Sequence, residues 1–166
     1  TPGKLTVATS PDFAPYEFYA IGEDGTPKLA GFDMDLAQYI ADYLGLELEV
    51  VTVDFDGVIS ELQTKSVDLG MAGLSPDEKR MGIMDFSDLY YMGGQSLVTV
   101  KDNAEKYNSF EAINKPDVSV GAQVGSIQMD LANENSPEAD IVGLPKVTDI
   151  ISELLTGKMD AAYIET

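Results

Sequence analysis

Hydrophobic and polar positions along the chain follow two alternating patterns. Short apolar segments rich in β-branched residues predict strands at residues 4–9, 46–53, 67–72, 95–101, 118–122, 141–143 and 159–164. Between them, helical spacing predicts helices, and Leu36, Ile40 and Leu44 share one face of the first. Asp33 is its predicted N-cap and Gly45 its stop. Strands that alternate with helices of about ten residues indicate an α/β protein with mainly parallel sheets.

One segment of the chain is repeated further along. Residues 59–68 and 151–160 are identical at six of ten positions. The strand at 5–10 also resembles the strand at 118–123. Chance similarity between two αβ units is the alternative, because such units share a composition. The repeat favours two similar lobes, which we expect at 1–92 and 93–166.

Composition excludes several classes of function. The 166 residues carry a net charge of −19 and contain neither His nor Cys. A Ser-His-Asp triad, a thiol nucleophile, a disulfide and an ordinary zinc site are therefore excluded. The negative charge repels nucleic acids and anionic membranes. No segment approaches the roughly 20 apolar residues that cross a bilayer. No signal-peptide pattern opens the chain, so we expect any signal peptide to have been removed.

The single arginine, Arg80, follows the third predicted strand. In so acidic a chain, a surface ion pair with Asp77 or Asp85 is the simpler interpretation. The position of Arg80 after a strand-end loop with Ser75 favours a carboxylate receptor built from a guanidinium, a hydroxyl and backbone N–H groups. Glu165, at the equivalent strand end of the second lobe, can take an ammonium group. An anion receptor facing a cation receptor predicts a site for a free amino acid.

Motifs along nearly the whole chain resemble the amino-acid-binding proteins of ABC importers. The similar segments are residues 4–18, 31–36, 54–59, 62–68, 72–73 with Arg80, 85–87 with 90–91, and 160–162. The resemblance implies the type II periplasmic-binding-protein fold, with two α/β lobes, mainly parallel sheets flanked by helices, and a ligand cleft between the lobes. It further implies a binding protein and not an enzyme, with a free amino acid and a membrane permease as partners. The implied location is extracytoplasmic, either periplasmic or lipid-anchored at the cell surface.

The resemblance also implies which residues touch the ligand. Arg80 clamps the α-carboxylate with help from Ser75, and Glu165 holds the α-ammonium. The other implied contacts are aromatic walls, strand ends and a loop at a helix N-terminus: Ser10, Phe13, Phe55, Ala72, Gly73, Gln123, Ser126 and Ile127. Catalytic residues, cofactors and metals are not expected. Glu165 departs from the family pattern, because it is one methylene longer than the usual Asp.

Two further departures affect the ligand and the assembly. Ser10 replaces an acidic residue of several members, which argues against a Lys- or Arg-type ligand, although Asp12 and Glu17 can restore negative charge nearby. Family members usually continue beyond the point where this chain stops, at Thr166, and return to complete the first lobe. We therefore expect exposed apolar surface on the Leu36/Ile40/Leu44 helix, and self-association or domain swapping of the chain.

Two alternatives remain open on sequence grounds. The first is an enzyme on the same fold, such as a cyclohexadienyl-type dehydratase, in which Glu165 is the candidate general acid or base. The second is the sensor domain of a membrane receptor. A metal site at Asp33 and Asp35 is disfavoured, because the Gly and Glu of an EF-hand loop are missing and a helix start explains the pair.

Overall fold

A computed structural model describes residues 2–166. The chain divides into two compact units, one that ends at Ser87 and one that covers Asp88–Thr166. The lobe limits expected from the sequence, 1–92 and 93–166, stay a prediction. Within residues 2–166, no helix is both long enough and apolar enough to cross a membrane.

The first unit is built on a parallel sheet. Its elements are β1 (Lys4–Thr9), β2 (Asp12–Phe13), β3 (Glu17–Ile21), β4 (Pro27–Ala30), α1 (Phe32–Leu44), β5 (Glu47–Thr52), α2 (Phe55–Gln63), β6 (Leu69–Gly70) and α3 (Glu78–Met81). Strand β1 lies between β5 and β6 and runs parallel to both. Strands β2, β3 and β4 form a small antiparallel sheet between β1 and α1 in the sequence.

The second unit repeats this plan and adds one antiparallel strand. Its elements are β7 (Gln95–Val98), a 3-10 helix (Lys101–Asn103), α4 (Phe110–Ile113), β8 (Ser119–Gln123), α5 (Ile127–Asn135), β9 (Asp140–Leu144), α6 (Val147–Leu155) and β10 (Ala161–Glu165). The strand order is β7-β10-β8-β9, and only β7 is antiparallel to its neighbour. The prediction of α/β units with mainly parallel sheets is confirmed.

Helices cover both faces of the first parallel sheet. Successive residues of a strand point to opposite faces, and β1 uses both. Val7 packs in one cluster with Ala37 and Ala41 of α1. Ala8 packs in a second cluster with Val58 of α2. The central strand is therefore buried from both sides, and every residue of it after Lys4 is buried, including Thr6 and Thr9.

Strand pairing follows the sequence repeat. Val7 pairs with Leu69 in the first unit, and Val120 pairs with Ala161 in the second. Leu69 and Ala161 are 92 residues apart, which is the offset of the repeat. Helices α2 and α6 begin at the same offset, and each has nine residues. The similarity is therefore structural.

The same carboxylate contact recurs in both copies. The Asp68 side chain accepts a hydrogen bond from the Thr6 backbone N–H at 2.9 Å. The Asp160 side chain accepts one from the Ser119 N–H at 3.0 Å. These N–H groups lie at the starts of the two central strands, so each aspartate fixes the returning chain to the central strand.

The start of α1 differs from the prediction. Its N-cap is Gly31 and not Asp33. A Cβ at position 31 would lie 2.2 Å from the Tyr16 carbonyl oxygen, and its φ is +127°, so the close approach requires glycine. Asp33 is fully buried inside the first turn, where its carboxylate accepts a hydrogen bond from the Gly73 N–H at 3.2 Å.

The core face of α1 is also shifted. Its buried apolar residues are Met34, Ala37 and Ala41. The predicted Leu36 and Ile40 are only partly buried at the edge of the same cluster, and Leu44 is 54% exposed. Small alanine side chains let the helix approach the sheet closely, which larger leucine side chains on that line would prevent. The expected apolar exposure on this helix is therefore confirmed, but of the three named residues only at Leu44; the other exposed large hydrophobic side chains are Phe32, Tyr39 and Tyr43.

The turn after the repeated helix yields a stability prediction. Lys65 has a φ of +58°, and the equivalent Gly157 has a φ of +72°. A left-handed conformation costs a residue with a Cβ roughly 1–2 kcal/mol, partly offset by the greater unfolded-state entropy of glycine. We expect Lys65→Gly to stabilise the protein by about 0.5–1 kcal/mol, measured by urea unfolding.

Gly157→Ala is the matched opposite change, since a Cβ there meets no atom within 4 Å. It should lower the free energy of unfolding by a similar amount. If both substitutions changed the free energy of unfolding in the same direction, the explanation by backbone conformation would be wrong.

Candidate functional site

Arg80 is buried in the first unit despite its charge. It lies in the one-turn helix α3 and is 6% exposed. Its Nε is 3.1 Å from the Asp77 carboxylate, and its Nη1 donates to the Ser75 carbonyl oxygen at 2.8 Å. The guanidinium carbon lies 5.8 Å from the centre of the Phe55 ring, within cation–π range. The ion pair with Asp77 considered from the sequence exists, but the arginine is not on the surface.

A second group of predicted residues surrounds the strand-end loop. Gly73 has a φ of +57°, and a Cβ there would lie 3.3 Å from the Phe13 ring. Phe13 in turn stacks on Tyr16, with ring centres 5.2 Å apart. Because its N–H donates to Asp33, Gly73 is held by the fold, and this N–H is used structurally. Ala72, just before it, is buried in the core.

Carboxyl groups cluster around this loop. Ser10, at the end of β1, donates its hydroxyl to the Asp12 carboxylate at 2.8 Å. Glu17 is 1% exposed, and one of its carboxylate oxygens lies 3.9 Å from the position of a Cβ on Gly73. The side chains of Asp12, Glu17 and Asp33 therefore bring three carboxyl groups to this part of the first unit.

In the second unit, the predicted loop residues build the start of α5. The Ser126 hydroxyl accepts from the Met129 N–H at 3.2 Å and donates to the Gln123 carbonyl oxygen at 2.7 Å. The Gln123 side chain donates to the Pro145 carbonyl oxygen at 3.0 Å. Ile127 is the first residue of α5, where backbone N–H groups lack helical acceptors and attract anions. The Ser126 side chain thus serves as a cap.

Glu165 ends β10 and is half-buried. The Gln128 side-chain amide is 3.4 Å from its carboxylate and 2.6 Å from the Gln95 side-chain oxygen. Glu165 lies 92 residues after Gly73, so the two occupy equivalent strand ends. A Cβ at Gly93 would lie 2.8 Å from the Glu165 carboxylate, so a larger residue there would displace that side chain.

The repeated aspartates lie at the other end of the strands and are structural. Besides the Ser119 N–H, Asp160 accepts a hydrogen bond from the Tyr107 hydroxyl at 2.6 Å. Burial, and this hydrogen bond to Asp160, raise the pKa of the Tyr107 phenol above its usual value. Across residues 2–166, no three acidic side chains are grouped so that they could hold a metal ion.

Sequence reasoning missed two side chains that shape the site. Asp33 was interpreted as a helix cap, although it contacts Gly73 across 40 residues of sequence. Asp77 was considered only as a surface partner of Arg80, although it also caps α3 through the Arg80 N–H. The cap could have been predicted, because an Asp three residues before Arg80 is typical of an N-cap. The contact between Asp33 and Gly73 could not, because nothing in the sequence around either residue indicates it.

The chain is similar to one family of known proteins and to individual binding proteins and enzymes. The chain matches the family described as "Bacterial extracellular solute-binding proteins, family 3" over residues 5–138. It is 35% identical to the arginine-binding extracellular protein ArtP of Bacillus subtilis over 164 residues, 98% of this chain and 61% of ArtP. It is 30% identical to the cyclohexadienyl dehydratase of Pseudomonas aeruginosa over 158 residues, 95% of this chain and 58% of the dehydratase.

A solved structure gives a similar result. The amino acid ABC transporter substrate-binding protein AbpA of Streptococcus pneumoniae, bound to L-arginine, superimposes with a TM-score of 0.94 and 36% identity. The similarity covers 99% of this chain and 68% of AbpA. The chain spans only 58% to 61% of the length of the two curated relatives.

The contact of Gly73 with Phe13 predicts a difference between two glycines. Gly25 and Gly73 both have positive φ, but a Cβ at Gly25 would meet no atom within 4 Å. Gly25→Ala should cost only the net backbone penalty, about 0.5–1 kcal/mol of unfolding free energy, as at Gly157. Gly73→Ala should cost about 1 kcal/mol more, because the methyl group displaces the Phe13 ring. Urea unfolding measures both, and equal losses would contradict a tight Phe13 contact.

Proposed function

The chain belongs to family 3 of the bacterial extracellular solute-binding proteins, and we propose that it captures a free L-amino acid for an ABC importer. The observation that carries the proposal is the buried, locally anchored guanidinium of Arg80. A net charge of −19 gives a small anion no general attraction to the protein. A carboxylate therefore needs a local receptor, and Arg80 is the single arginine of the chain.

The proposal gives each end of the amino acid its own group. Arg80 binds the α-carboxylate, with the Ser75 hydroxyl and the N–H of Ile127 as further donors. Glu165 binds the α-ammonium, with its carboxylate oriented by Gln128. The remaining assigned contacts are Phe13 and Phe55 beside the ligand side chain, together with Ser10, Ala72, Gly73, Gln123 and Ser126. Only noncovalent binding and release to a membrane permease are required.

We further propose that the ligand side chain is cationic. ArtP is named for arginine, and AbpA was solved with L-arginine bound. The Ser10 substitution argued against such a ligand on sequence grounds. The Asp12 carboxylate, however, lies 2.8 Å from the Ser10 hydroxyl, and the buried Glu17 lies beside Phe13 and Gly73. The Asp12 carboxylate thus lies beside position 10, where several family members carry an acidic residue.

A dehydratase is the second candidate, favoured by the 30% identity to the Pseudomonas aeruginosa enzyme. Removal of water from a cyclohexadienyl acid needs a placed general acid or base, and Glu165 is the candidate. Incubation of the full-length protein with prephenate, followed by absorbance of aromatic product, separates the two functions. If the protein only binds its ligand, aromatic product should form no faster than in the uncatalysed reaction. Turnover that disappears in Glu165→Gln would favour the enzyme.

The proposed carboxylate receptor predicts a large effect of truncating Arg80. Arg80→Ala should weaken L-arginine binding by about 2–5 kcal/mol, because it leaves a desolvated carboxylate without its partner. Isothermal titration calorimetry on the full-length protein measures this. Arg80→Lys should recover only part of the loss, since an ammonium lacks the planar fork.

The matched control is Lys79→Ala, which removes the same charge from an exposed neighbouring residue. It should bind L-arginine like the parent. Unchanged binding by Arg80→Ala would refute the assignment of the site.

The proposed cationic ligand predicts discrimination between L-arginine and L-citrulline, which has nearly the same shape but no side-chain charge. In a thermal-shift screen of the twenty amino acids and L-citrulline at one concentration, we expect the largest stabilisation with L-arginine or L-lysine, since stabilisation rises with the affinity of the bound ligand. A shift with L-citrulline or L-glutamine as large as with L-arginine would argue against the cationic class.

A further inference from the structure

We infer that Asp77 is a positioning residue for the Arg80 carboxylate receptor. Its carboxylate sets the direction in which the guanidinium is presented to the ligand. The inference rests on the proposed function, because it concerns how the same site binds a carboxylate.

Asp77 makes two separate contacts with Arg80. One carboxylate oxygen accepts from the Arg80 backbone N–H at 2.9 Å and caps α3. The other lies 3.1 Å from Nε. Many N-cap side chains can make the first contact, including Asn, Ser and Thr. The second contact requires another acceptor on the same side chain, and a carboxylate provides one.

These contacts fold Arg80 back over its own loop. In a common N-terminal motif, a Glu or Gln three residues after the cap reaches back to the cap residue's backbone. Here Arg80 stands at that position and reaches back to the Asp77 side chain. Its Nη1 continues to the Ser75 carbonyl oxygen. Two nitrogens of the planar guanidinium, Nε and Nη1, are therefore both held by groups of the six-residue segment 75–80.

Fixing two nitrogens of a planar guanidinium fixes the directions of all its N–H groups. The side chain, 8% exposed, is therefore ordered before ligand arrives, and less rotamer freedom is lost on binding. Asp77 also opposes the ligand by bringing a negative charge close to Arg80. Because it contacts Nε, the nitrogen nearest the main chain, we infer that its orienting effect outweighs this repulsion.

Calorimetry with L-arginine and L-argininamide tests the inference. L-argininamide keeps the side chain and the α-ammonium but lacks the carboxylate. In the full-length protein, Asp77→Asn keeps a cap oxygen and loses the anionic acceptor for Nε. We expect this variant to bind L-arginine about ten-fold more weakly than the parent, since a hydrogen bond to a charged group is lost. Binding of L-argininamide and the thermal midpoint should change little.

Glu78→Gln is the matched control, because it removes the same charge from the exposed next residue. It should leave both affinities and their ratio at the parent values. If Asp77→Asn does not fold, Asp77→Ser serves in its place, since serine also caps. The same loss of preference for L-arginine over L-argininamide is then expected.

The outcomes separate this inference from the proposed function. Unchanged L-arginine binding in Asp77→Asn would overturn the inference while the parent's binding sustains the function. Tighter binding would also overturn it and identify Asp77 as an internal competitor. Equal losses for both compounds would overturn it as a general loss of structure. A parent that binds neither L-arginine nor any other of the twenty amino acids would overturn the proposed function and the inference together.

Discussion

In each unit, one carboxylate determines where the returning chain meets the central strand. Asp68 holds the Thr6 N–H, and Asp160 holds the Ser119 N–H. The strands that follow these aspartates must then run parallel to the central strand and end at the same edge of the sheet. Parallel sheets bind ligands at that edge, where loops are free to vary without loss of strand pairing. The structural end and the variable end of each sheet are thus separated.

The two copies use this freedom differently. At the equivalent strand end, the first copy has Gly73 and the second has Glu165. Glycine, with a positive φ, lets the Phe13 ring approach the backbone, and the loop then continues into the helix that carries Arg80. Glutamate instead ends its strand with a carboxylate held by Gln128. The same repeated frame therefore leads to a cationic side chain in one unit and to a carboxylate in the other.

The sequence predicted the structural features that depend on hydrophobic periodicity or on the internal repeat. The alternating αβ order and the 92-residue echo appear in the structure because each rests on many residues. The face of α1 was misjudged, since the closest contact with the sheet is made by Ala37 and Ala41, and alanines add little to a hydrophobic pattern. Asp33 was misplaced as a cap because its partner, Gly73, is distant in sequence. Short elements such as β2 and α3 are too brief to show any period.

Arg80 illustrates why a local partner matters in an acidic chain. Any of the 29 acidic side chains could in principle neutralise it, and a distant one would tie the receptor to the packing of another element. Two of its contacts are local, because Asp77 and the Ser75 carbonyl both lie within five residues of the arginine. Since a buried charge is costly unless it is paired, this local pairing allows the guanidinium to be buried within its own loop.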